Sequence, residues 1–196
     1  KQGLNDMNQA RLDVSASSII TGQNLWTVEQ VANGDGFVSG NMAYVEERLF
    51  LQTATEIICL SSLDGSEIWR RKIDRISNQC NLVIDQNLLI VNTEDEYIYA
   101  LETGSGNTRW KIGSDTQAFS NPSDMTLHKG IIYFTADSKL CAIEIASSDV
   151  LLNDFSPAAQ RMQNDFLGFR TEVIIDEKKS ILYANDNFFV MALPLP

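Results

Sequence analysis

Few residues in this chain of 196 are suited to chemistry. It has one histidine, His128, and three cysteines, Cys59, Cys80 and Cys141, which form no metal-ligand spacing. An odd cysteine count argues against a disulfide framework. Cys59 and Cys141 fall in predicted inner strands, where a thiol behaves as a small hydrophobe. There is no Gly-rich phosphate loop and no nucleophile-elbow spacing. No apolar run approaches the roughly 18 residues that a membrane-spanning helix needs. Cations are scarce: 15 Lys and Arg stand against 26 Asp and Glu, a formal net charge of −11. That balance disfavours nucleic acid and anionic membrane as partners and is compatible with a basic protein. The first residue is Lys1 rather than Met and no apolar signal-like segment follows it, as expected where a leader has been removed or the sequence trimmed.

Glycine and tryptophan are few but regularly spaced. Leu88–Trp110 reads LLIVNTEDEYIYALETGSGNTRW. It holds an apolar run, a polar turn at Glu94-Asp95-Glu96, a second run rich in β-formers, a turn with Gly104 and Gly106, and a Trp in a third strand. Short runs punctuated this way read as an antiparallel meander. The unit recurs. Gly22 and Trp26, Gly65 and Trp69, Gly106 and Trp110 are each four positions apart, and the Trp residues step by 43 and 41. A further step of 42 lands on Leu152, with Ser148 in the glycine's place. Cys59-Leu60, Ala100-Leu101, Ala142-Ile143 and Ala192-Leu193 repeat as small residue plus large aliphatic, and 11 residues before each aliphatic stand Leu49, Ile90, Ile132 and Leu182. A period near 42 with several strands per repeat is the signature of a propeller blade, so the fold class is all-β.

At these residues the chain resembles a known family. An apolar strand, a polar turn, Tyr97 to Gly106 (YIYALETGSG) and then Trp110 is similar to the repeat of pyrroloquinoline-quinone (PQQ)-type propellers. The resemblance covers roughly residues 38–193 and is strongest in Leu49–Ile73 and Leu88–Ile112. That family includes quinoprotein dehydrogenases and the propeller lipoproteins that help assemble outer-membrane barrels. It implies a blade rather than a chemistry, and it favours an exported or periplasmic location over a cytoplasmic one. Quinoprotein enzymes have about eight blades and a cofactor stack. A chain of this length is too short to hold them, so a non-enzymatic member without cofactor or metal is expected.

Length and period together predict one soluble domain over residues 1–196, burying about 70% of its unfolded surface. Residues 1–20 form an arm with a weak helical pattern in Leu4, Met7 and Leu12, and residues 24–30 form a Trp-bearing strand. Blades follow at 38–73, 80–112, 125–155 and 171–193, each with strands A to D from the axis outward. The last blade lacks its D strand and the Trp26 strand is a D strand without a blade. Pairing the two predicts a four-bladed propeller closed by its N-terminal strand, with no open edges. Ile143 to Leu193 spans 50 residues, so the period breaks at Asn153–Phe169. There Ser156 and Pro157 suit the N-cap and first position of a short helix. Long excursions of this kind often bind; equally, Phe155, Met162, Phe166, Leu167 and Phe169 would plug a gap between blades.

Candidate site residues follow from position. In a propeller the B–C turns and D–A connections emerge on one face. Here the B–C turns carry Glu56; Glu94, Asp95 and Glu96; Asp137; and Asp186, with Lys139 the basic exception. These carboxylates, with Phe166 of the excursion, are the candidate partner-binding set; the bland reading is that turns of an acidic protein favour Asp and Glu. His128, in the predicted A–B turn, reads as a solvated turn histidine. The Asp and Asn of the Asn33-Gly34-Asp35-Gly36 turn fall far short of a calcium loop. One Trp per repeat at constant phase means packing rather than an aromatic cage. The function expected is a non-catalytic binding or scaffold protein. Alternatives are a small acidic immunity-type protein that neutralises a basic toxin, and a propeller hydrolase or lyase with a channel-mouth site.

Overall fold

The computed structural model describes residues 11–33, 41–77, 80–113, 119, 122–136, 139–155, 173–185 and 190–195. Among them the secondary structure is entirely antiparallel strand, and no helix is long and apolar enough to cross a membrane. The chain divides into two compact units, Lys1–Asn78 and Gln79–Pro196.

The first unit holds strands β1 (Arg11–Ser17), β2 (Asn24–Asn33), β3 (Met42–Val45), β4 (Arg48–Gln52), β5 (Glu56–Ser61) and β6 (Glu67–Lys72). β3–β4–β5–β6 is a complete blade and β1–β2 a separate two-stranded sheet. The second unit contains blades β7 (Val83–Asp85), β8 (Leu88–Asn92), β9 (Ile98–Glu102), β10 (Thr108–Ile112) and β11 (Thr126–His128), β12 (Ile131–Ala136), β13 (Lys139–Glu144), β14 (Val150–Phe155). It also contains a three-stranded sheet of β15 (Ile174–Asp176), β16 (Ile181–Asn185) and β17 (Val190–Pro194).

The repeat is legible in the C–D loop. Gly65 N donates to Ser61 O at 2.9 Å, and Gly106 N to Glu102 O at 2.8 Å. Ser148 N donates to Glu144 O at 2.9 Å and Gly22 N to Ser18 O at 2.8 Å. All four donors are left-handed, with φ of 77°, 71°, 65° and 71°. The position demands positive φ, so glycine is its natural occupant and Ser148 holds it at some cost. Across the loop, Cys59 pairs with Trp69, Ala100 with Trp110 and Ala142 with Leu152. The predicted phase is therefore the observed one.

Two corrections follow from the same register. Ala16 pairs with Trp26 in the way Cys59 pairs with Trp69, so β1–β2 is the C–D hairpin of a blade and Arg11–Ser17 is strand, not helix. Among the described residues the strands form five sheets, in which β2 has β1 as its partner and β17 has β16; the four-bladed closure remains an expectation of the sequence. In blade two the partner of Leu101 is Leu89, not Ile90, because the turn between Asn92 and Ile98 is one residue longer than that between Gln52 and Ile57.

Blades bury their faces in clusters. Val31, Leu51, Ile58 and Leu60 form one in the first unit, with Leu12, Val14, Val28 and Leu49 packed on it. In the second unit Ile90, Ile98, Phe119, Ile132, Phe134 and Ile143 belong to one core, and Tyr133, Leu140, Val173 and Leu182 to another. The D-strand Trp residues dock on neighbouring loops. Trp26 Nε1 donates to Ser62 O at 2.9 Å and Trp110 Nε1 to Ile145 O at 2.9 Å. Gly65 lies beneath Trp26: a Cβ there would sit 2.7 Å from Trp26 Cε3 and 2.6 Å from Val28 Cγ2. These tryptophans pack blade on blade; no aromatic cage is needed to explain them.

Candidate functional site

The B–C turns are built on threonine. In blade one, Glu56 N donates to Thr53 Oγ1 at 2.9 Å while Thr53 Oγ1 donates to Glu56 O at 3.1 Å. In blade two, Thr93 Oγ1 bonds Tyr97 O at 3.0 Å and accepts from Tyr97 N at 3.2 Å. A hydroxyl that serves its own backbone fixes such turns and the residues they enclose. In blade two those residues are Glu94, Asp95 and Glu96, with Glu96 left-handed at φ 71°. Gly113, at φ 126°, abuts this turn; a Cβ on it would meet Glu96 O at 2.4 Å, so only glycine lets the strand pass.

The structure places the candidate residues unevenly. Glu94, Asp95 and Glu96 share one turn; Glu94 is exposed, and Glu94 and Glu96 each have interactions within the fold. Glu56 lies in the other unit and is committed to its own blade: its Oε2 accepts from Arg70 Nη1 at 2.7 Å. Arg70 also reaches Glu67 Oε2 at 2.8 Å and Val31 O at 2.8 Å, joining β2, β5 and β6. The Glu67 carboxylate first, then that of Glu56, holds the guanidinium above its ordinary pKa. In blade two, Lys111 stands where Arg70 stands, one residue after the Trp. Its Nζ lies 3.5 Å over the Tyr97 ring and 5.0 Å from that of Tyr99. A hydrogen bond with Tyr99 raises its pKa most, and Asp95 adds to the rise. In these two blades the D-strand cation thus faces the start of its own C strand. Asp137, Asp186 and Phe166 lie outside the described residues, as do the Gly34–Gly36 turn and the helix predicted after Ser156.

His128 is not a solvated turn residue. It ends β11, is 8% exposed, and its Nδ1 is 3.3 Å from Glu177 Oε1 beyond β15. Strand alternation turns Leu127 outward and His128 inward, which a reading of the turn as loop misses. Cys59, Cys80 and Cys141 are buried free thiols, and burial pushes Cys59 up to about 11, so it is inert at neutral pH. Among the described residues no group of three His, Cys, Asp or Glu stands close enough to hold a metal ion.

A polar rung at the end of each B strand escaped the sequence reading. Gln52, Asn92, Thr135 and Asn185 occupy one register position, opposite Ile57, Ile98, Leu140 and Val190. Gln52 Nε2 bonds Ser77 O, and Thr135 N bonds Ser123 Oγ at 3.0 Å, tying the D–A connections to the blades. Asn92, one methylene shorter than Gln52, is 2% exposed with its amide N and O both unpartnered, and Asp95 Oδ1 is likewise buried without a hydrogen bond. Asn92 shares its face of β8 with Ile90, within the apolar core. Asn92→Leu is therefore expected to raise stability by about 1–2 kcal/mol in denaturant titration. A loss would mean that the amide has a partner in solution, such as a bridging water.

A family profile described as outer membrane protein assembly factor BamB matches residues 10–187. No curated protein matches the sequence. Among solved structures, BamB from Moraxella catarrhalis is similar at a TM-score of 0.60 and 14% identity, over 92% of this chain and 54% of that one. The computationally designed Ika8 protein reaches 0.68 at 14% identity, over 91% and 51%. Quinohemoprotein alcohol dehydrogenase ADHIIG from Pseudomonas putida HK5 reaches 0.57 at 12%, over 73% and 27%. The chain spans about half the length of the Moraxella BamB, and identities this low show the fold alone.

Proposed function

The chain belongs to the PQQ-like repeat propeller family of the outer membrane protein assembly factor BamB, and from that membership we propose that it is a non-catalytic scaffold that binds another protein. The observation that carries this reading is the family match over residues 10–187. The geometry supports it: blades held by loop, Trp and Thr hydrogen bonds present turns of varied sequence on a regular frame. The surfaces proposed for contact are the B–C turns, led by Glu94, Asp95 and Glu96, and the 153–169 excursion with Phe166. A basic partner and an exported, periplasmic setting are part of the same proposal, the second resting on the family's outer-membrane description. The immunity-type alternative rests on net charge alone, and the hydrolase or lyase alternative on the capacity of a propeller to bring residues of different blades to one channel mouth.

The test is capture of a partner by the immobilised chain at low and high salt. Replacing Glu94, Asp95 and Glu96 together with Ser is expected to slow association about three- to tenfold at low salt. Glu46 and Glu47, in the A–B turn of blade one, and Asp176, at the end of β15, are the control. Two of them are already engaged, Glu46 with Arg48 at 3.3 Å and Asp176 with Lys179 at 3.4 Å. If neutralising the control set weakens capture equally, overall charge explains binding and the proposed face is wrong.

A further inference from the structure

We draw no further inference here: the strongest candidate, the buried side-chain amide of Asn92 at the B–C end of β8 with both of its polar atoms unpartnered, carries nothing because nothing in the structure shows which group covers it.

Discussion

Trp69→Ala is expected to destabilise the protein by about 3–5 kcal/mol, the cost of removing a large buried side chain and leaving a cavity. The ring is only 9% exposed, lies 5.7 Å from that of Phe50 at a tilt of 48°, and sits opposite the fully buried Cys59. Neighbours held in a β-ladder collapse poorly into a void, so the upper part of that range is expected. Trp26 is half-buried, and its substitution should cost less even though its indole N–H bond to Ser62 O is lost as well. Denaturant titration of both variants separates the cases. A loss below about 1 kcal/mol at Trp69 would contradict the burial that the structure assigns.

Deleting residues 1–33 is the second large effect. The sequence alone suggests that the loss would open the edge of the last blade; the structure assigns a different cause. The β1–β2 hairpin contributes Val31 to the cluster of Leu51, Ile58 and Leu60, with Leu12, Val14 and Val28 packed alongside. Its removal bares three residues of the first complete blade that are now 0–2% exposed, each worth about 1.5–3 kcal/mol of burial. It also takes Val31 O from Arg70 Nη2. The truncated chain is expected to elute as aggregates on size-exclusion chromatography. A monomer with an unchanged thermal midpoint would show that this cluster is dispensable.

The blade was legible because its signals are local. A left-handed loop position selects glycine, and a small residue opposite Trp selects itself by volume, so both recur at constant spacing. Even Ser148, which breaks the glycine rule, keeps the conformation at φ 65°. What stayed hidden depends on pairing. Ala16 is followed by Ser17 where the other repeats have a large aliphatic, so the repeat pattern does not mark it, yet Ala16 meets Trp26 in the standard register. The candidate site suffered in the same way. Glu56 reads as a turn carboxylate, and nothing in its own neighbourhood of the sequence shows that Arg70, 14 residues on, occupies it at 2.7 Å. The usable signal was the cation directly after Trp in two repeats.

The extra residue in the turn of blade two has a consequence for how such chains diversify. Because Leu101 meets Leu89 while the spacing elsewhere is 11, the insertion was absorbed entirely inside one turn, and the ladder on both sides kept its facing pairs. A shortened turn would shift the B strand by one residue and exchange its two faces, which in β8 are both buried and differently packed. Recombination between repeats has its tolerated crossover points in the loops, and the turns, where length is tolerated, are the part of the blade open to new sequence.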